Sequence, residues 1–262
     1  MLFDPIKKRK NAMIDFLINT KYDPDSPMGN ISLYNINSLI SYWMVGLKSE
    51  TEVILPSHIQ WIQQAIDDNE IVKNRFGEED DDPYFHKYQL YEHLALAKWL
   101  ATGKDSISDW QHAKTIYGDN YVKRQWWETR SLKTYGLDDY LALCIQAQDY
   151  ETGIKEFEHY YGQKNISLKR KTITPREYGY LVCQKQLNPI HDNQTMIEVG
   201  GKLLAKYLEN TWLGYGQFTR AATWLKIVYW HHGEDLTPEQ TLLKIYENMP
   251  SIETPEFIKP KL

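Results

Sequence analysis

The chain has 262 residues, 42% of them hydrophobic and 25% charged, with a formal net charge of -5. That balance belongs to a folded globular chain of one large domain, or two small ones sharing a core, and excludes bulk disorder. A net acidic chain lacks the basic footprint of a general nucleic-acid binder, and no run of about 18 apolar residues offers a membrane span, so neither nucleic acid nor membrane is an expected partner.

The first elements in chain order are polar-led. Lys7, Lys8, Arg9 and Lys10 form the one dense basic run noted, read as a solvated first helical turn. The start lacks the charged, apolar, then small-residue order of a secretory leader. With only two cysteines, Cys144 and Cys183, there is no disulfide framework, and reduced thiols in a cytoplasmic protein are the simplest expectation. Ser57-His58-Ile59-Gln60 follows Pro56 and reads as a capping box, in which serine and glutamine satisfy first-turn N–H groups reciprocally. Residues 1–77 are read as an N-terminal helical subdomain of about three helices.

Glu78, Glu79, Asp80, Asp81 and Asp82 then stand side by side between Gly77 and Pro83. Like charges at adjacent positions repel, so such a run is a solvated linker or a contact for something basic. It marks the seam before the main helical body, residues 83–250. From Tyr84 to Ala101 apolar residues lie all round a helical circumference, interrupted by His86, Lys87, Gln89, Glu92, His93 and Lys98. That predicts a central, largely buried helix whose polar groups are paired or reach water at its edges.

Leu137, Tyr140, Leu141, Cys144 and Ile145 recur at the spacing of one helix face, as do Met196, Val199, Leu203, Leu204, Tyr207 and Leu208, and Phe218, Ala221, Ala222, Leu225 and Val228. Thr174-Pro175-Arg176-Glu177 and Thr237-Pro238-Glu239-Gln240 each supply an N-cap, a proline at the first helical position and an acceptor three residues after the cap. Gly200-Gly201 falls inside a helical pattern, where each glycine costs roughly 1 kcal/mol against alanine. Close packing of a neighbouring helix or a hinge would explain the pair. Strand signals are few. The expectation is an all-α, multi-helix bundle of stacked antiparallel pairs, with about nine to eleven helices. Leu94-Ala95-Leu96-Ala97, Leu141-Ala142-Leu143-Cys144 and Leu181-Val182-Cys183 recur roughly 40 to 50 residues apart, the spacing of a helical repeat. Pro255 and Pro260 predict an extended tail over 251–262.

Chemistry-bearing patterns are sparse. His231-His232-Gly233-Glu234-Asp235 reads as the last turn and C-cap of a helix, where imidazolium suits the negative end of the dipole. It lacks zinc-ligand spacing. No G-x-S-x-G elbow occurs, and Gly214-Tyr215-Gly216 has no strand before it. Asp138 and Asp139 flank a predicted helix start, where negative charge is favoured. No catalytic residue, metal or cofactor is expected, and the chain is not read as an enzyme.

Leu94-Ala95-Leu96-Ala97-Lys98-Trp99-Leu100, Tyr140-Leu141-Ala142-Leu143, Gly216-Gln217-Phe218-Thr219-Arg220-Ala221-Ala222 and Tyr246 to Pro250 together resemble the helical body of the PoNi-type immunity proteins, over roughly residues 84–250. That family protects bacteria from PoNe-type DNase toxins delivered by rival cells. The resemblance implies a non-catalytic protein that binds a cognate toxin and blocks its active site or substrate path. A nuclease presents a basic groove, which an acidic surface can occupy and find quickly. On that reading Glu78, Glu79, Asp80, Asp81 and Asp82 supply the electrostatic contact, and Trp126 and Trp127 are candidate aromatic anchors. One core and one surface tryptophan is the alternative for that pair. The alternative for the protein is a helical-repeat adaptor or regulator that takes a peptide or small ligand in an aromatic groove.

Overall fold

A computed structural model describes residues 55–56, 59–60, 62–63, 66–67, 83–123, 136–169, 173–188, 192–210, 223–224, 226–228, 237 and 240. Helix accounts for most of these residues and none is in a strand, so the protein is all-α, as its periodicity predicts. The main helices are α1 (Pro83–Thr102), α2 (Ile107–Lys123), α3 (Leu137–Gln146), α4 (Tyr150–Tyr161), α5 (Pro175–Leu187) and α6 (Asn193–Asn210).

Consecutive helices pack against one another from α1 to α6, and α3 also packs on α5. Ring and ion contacts fix their directions. Lys98, late in α1, lies 2.7 Å from Asp109 at the start of α2, while Tyr88, early in α1, meets Tyr117 late in α2 at 4.7 Å between ring centroids. Those two helices are therefore antiparallel. The Tyr117 hydroxyl donates to the Gly136 carbonyl at 3.2 Å, which turns α3 back alongside α2. Arg176, at the start of α5, donates to the Tyr161 hydroxyl at the end of α4. One end of the bundle thus gathers the starts of α1, α3 and α5 with the ends of α2 and α4. The opposite end holds the 103–106 turn, the end of α3 and the start of α4.

The expectation of a largely buried helix over Tyr84 to Ala101 holds for the described side chains of α1 from Tyr88 to Trp99, while Ala101 is exposed. Leu90, Leu94, Ala95, Leu96, Ala97 and Trp99 are all buried. Its circumference is covered on two sides. Ala95, Leu96 and Trp99 join the main core with α2, α3 and α5, while Leu90 and Leu94 pack with Ile62 and Ile66. Each large apolar side chain so buried contributes about 1.5–3 kcal/mol. Of the interrupting polar groups, Lys98 pairs with Asp109 and Glu92 accepts from the Thr223 hydroxyl at 3.2 Å, while the side chains of His86, Lys87 and Gln89 lie outside the described residues.

Local signals place the helix starts. Thr174 and Glu177 form the full capping box, with the Glu177 carboxylate accepting from the Thr174 N–H at 2.9 Å. Thr237 and Gln240 repeat it at 2.8 Å and 3.2 Å. Close packing, one of the two explanations for a glycine pair in α6, applies at Gly200: a Cβ there would stand 2.5 Å from the Tyr178 hydroxyl and 2.7 Å from a Val228 methyl. The Ser57 box, the Gly233 cap and the 251–262 tail lie outside the described residues.

Candidate functional site

A buried polar group sits at the turn end of the bundle. Lys226 is fully buried. Its ammonium lies 2.8 Å from Asp105 Oδ1 and donates to Gln146 Oε1 at 3.0 Å. The remaining faces look onto two indoles, with ring centroids 5.7 Å away for Trp99 and 5.4 Å for Trp110. Each partner comes from a different element: α1 gives Trp99, the turn Asp105, α2 Trp110 and α3 Gln146.

The shell is itself tied together. Trp110 Nε1 donates to Asp105 Oδ1 at 2.9 Å, which lets a bulky indole be wholly buried without losing its hydrogen bond. The Ser106 N–H donates to the same oxygen at 3.0 Å. Gln146 Nε2 donates to the Thr223 carbonyl at 3.2 Å. Beside this group, the Ser106 hydroxyl and Lys98 both meet Asp109 Oδ2, at 2.5 Å and 2.7 Å.

Taking an ammonium out of water is costly, and neither a carboxylate nor a pair of ring quadrupoles fully replaces hydration. Burial accordingly pushes the Lys226 ammonium down to about 8, and the Asp105 carboxylate opposes that fall. A lysine poised near neutrality is the kind of group that forms Schiff bases or accepts protons. Here its donors are spent on Asp105 and Gln146 and its flanks on indole rings. The arrangement ties four elements to the helical residues 223–224 and 226–228.

The thiols are equally enclosed. Cys144 on α3 and Cys183 on α5 are both fully buried and free. They meet across Gly153 of α4, whose Cβ, if present, would stand 2.7 Å from Cys183 Sγ and 3.4 Å from Cys144 Cβ. Burial raises both thiols well above the usual range. The protonated form is the less nucleophilic one, so both behave as small hydrophobes.

At the other end of the bundle Arg176 Nε lies 3.0 Å from Asp138 Oδ1. Its Nη1 donates to the Tyr161 hydroxyl at 2.7 Å. Lys164 stands 5.0 Å from the Tyr161 ring centroid and Arg176 5.8 Å. Asp138 lies in the first turn of α3, as its sequence position predicts, and takes part in this ion pair. Gly162 to Ile173, which joins α4 to α5, carries Lys164, Lys169, Arg170 and Lys171 and no acidic residue. It is a second basic run beside Lys7–Lys10, legible from composition once the loop boundaries are known.

The expected contact residues Glu78, Glu79, Asp80, Asp81, Asp82, Trp126 and Trp127 lie outside the described residues. So do Gly216–Ala222 and Tyr246–Pro250. The other two stretches of the resemblance fall inside the core, where Leu94–Ala97, Trp99 and Tyr140–Leu143 are buried. The Lys226 group escapes a reading by motif because its members are scattered from Trp99 to Lys226. Among the described residues no three His, Cys, Asp or Glu side chains stand together as a metal site, and no helix is long and apolar enough to cross a membrane. No family model, no curated protein and no solved structure matches the chain.

Proposed function

We propose that the protein is an immunity protein that acts in the cytoplasm, binding a cognate protein toxin stoichiometrically and doing no chemistry of its own. The observation that supports a binding role is the fate of the reactive side chains. Cys144, Cys183 and Lys226 are sealed within the packing, and a group enclosed in this way is out of reach of a substrate. The likeness of the 94–100 and 140–143 segments to PoNi-type proteins supplies the direction. A DNase toxin with a basic substrate groove fits an inhibitor of net charge -5.

The test is co-expression with the toxin domain encoded beside this chain, read as cell survival and as a one-to-one complex in size-exclusion chromatography with light scattering. Survival together with the complex supports the reading. Toxicity that persists while both proteins are soluble, with no complex, removes it. Changing Glu78 and Glu79 to Gln, and Asp80, Asp81 and Asp82 to Asn, is expected to slow association about tenfold at low salt and to flatten its salt dependence. An unchanged on-rate takes the run out of the contact.

A further inference from the structure

An amine and a carboxyl group are held against each other inside the bundle. Lys226 is wholly buried, and its Nζ lies 2.8 Å from Asp105 Oδ1. The carboxyl carbon stands one bond beyond that oxygen. Fixing a nucleophile beside its electrophile replaces a bimolecular encounter, and effective concentrations for well-oriented pairs reach about 10⁵–10⁸ M. The faces of Trp99 and Trp110 flank the ammonium, so no outside acyl group can reach it in place of Asp105.

The hydrogen bonds that an amide needs at this place are already made. Asp105 Oδ1 accepts from Trp110 Nε1 at 2.9 Å and from the Ser106 N–H at 3.0 Å. Both donors suit an amide carbonyl oxygen as well as a carboxylate oxygen, and they stabilise the oxyanion formed between the two. Lys226 Nζ donates to Gln146 Oε1 at 3.0 Å, which is an acceptor for the single N–H that an amide nitrogen keeps. The ion pair is the costlier arrangement, since it keeps two charges out of water. A neutral amide with the same hydrogen-bond partners removes that cost. Burial also loosens the ammonium's hold on its proton, down to about 8, which eases transfer to the carboxylate.

We propose that Lys226 and Asp105 are a self-modification site, condensing to an intramolecular isopeptide bond in the folded chain. The step balances without a co-reactant. The ammonium first passes one proton to Asp105 Oδ2, leaving a neutral amine and a carboxylic acid. The Nζ lone pair then attacks the carboxyl carbon, the C–N bond forms and the bond from that carbon to Oδ2 breaks. Oδ2 leaves as water with the transferred proton and a second proton from Nζ, while the third remains as the amide N–H. Nothing is oxidised or reduced. The Asp105 side chain is 17% exposed, so the water has an exit at the rim of the group. The ion pair is the starting state, and the amide accumulates as folded protein ages. The bond ties the turn after α1 covalently to the helical segment that carries Lys226. The proposal does not depend on a toxin, and cell protection could fail with the bond formed.

Intact-mass spectrometry on the full wild-type chain tests it, with protein freshly purified and protein kept folded at neutral pH for several days. A species lighter by the mass of one water is expected to grow with time. Digestion of that species should yield a branched peptide that joins Asp105 to Lys226. Keeping the chain in urea should stop the growth, because unfolding separates the pair. Lys226→Met and Asp105→Ala should hold their full mass, and the wild-type chain alone carries the deciding measurement should either variant fold poorly. A folded wild-type chain whose mass never falls overturns the proposal. So does a loss of water that maps to an unbranched peptide, as a cyclic imide between Asp105 and Ser106 would, or one that persists in folded Lys226→Met.

Discussion

Asp105, in the turn after α1, holds the buried ammonium of Lys226 at 2.8 Å between two indole rings. The pair has a calculable pH signature. Lys226 ionises near 8 in the folded protein, against an ordinary 10.5. Between those values the unfolded chain binds more protons, so stability rises with pH across the window. The contribution is complete above 10.5 and is lost as pH falls through 8, about 3 kcal/mol as an order of magnitude. Cys144 and Cys183, raised by burial, act in the opposite sense from about pH 9, and Tyr150 and Tyr180, raised to about 12 by burial first, do so above pH 10. They cancel when the wild type is compared with Lys226→Met. Urea unfolding of both proteins from about pH 7 to about pH 10 should show the difference moving in favour of the wild type. A difference that stays flat would show that Lys226 ionises normally.

Removing the anion should expose the cost of the cation. Asp105→Asn keeps an acceptor for Trp110 Nε1 and the Ser106 N–H but takes away the charge facing Lys226. A loss of about 3 kcal/mol is expected at neutral pH, becoming smaller in mild alkali as the lysine sheds its proton. In the Lys226→Met background the same change should cost about 1 kcal/mol or less. Equal losses in the two backgrounds would mean that Asp105 acts through the turn alone.

Gly153 reverses the usual rule for helices. Alanine for glycine within a helix ordinarily stabilises by about 1 kcal/mol. At Gly153 the added Cβ would stand 2.7 Å from Cys183 Sγ, well inside van der Waals contact. Gly153→Ala is therefore expected to destabilise by about 1–3 kcal/mol. Cys183→Ala removes the sulfur that the methyl would strike, so the double variant should lose less than the two single losses combined. Additive losses would place the strain elsewhere.

The parts of this fold that were legible in sequence are those set by near neighbours. Helix-face spacing foretells the buried stripe from Leu137 to Ile145, and a four-residue box foretells the Thr174 cap, because both depend on residues within one or two turns. The burial of Leu90, Leu94 and Trp99 in α1 is legible too, since apolar residues on opposite sides of a helix call for cover on both. Lys226 is a different case. In sequence it stands beside Leu225, Ile227 and Val228 as an ordinary lysine at the edge of an apolar stripe, where its head would be expected to reach water. Its acceptors, Asp105 and Gln146, arrive only when α1, α2 and α3 have packed. The same holds for Cys144 and Cys183, which share no sequence motif and meet across Gly153.

Those thiols give the last test. Thiolate is the reactive form, and burial raises both cysteines far enough that it is negligible at neutral pH. Access is closed as well, since neither side chain reaches solvent. Each barrier alone would slow alkylation, but they respond differently to denaturant. Access returns only on opening, and ionisation returns to the ordinary range in the opened chain. Native protein should therefore react with a maleimide far more slowly than an exposed cysteine, about a thousandfold or more, given a folded fraction set by several kcal/mol of stability. Reaction should accelerate in step with urea unfolding, and both cysteines should be labelled together, because they belong to one core packed around Gly153. Mass spectrometry at partial labelling separates the alternatives. A population carrying none or two labels is the expected result. Singly labelled native protein would mean that α3 or α5 opens on its own.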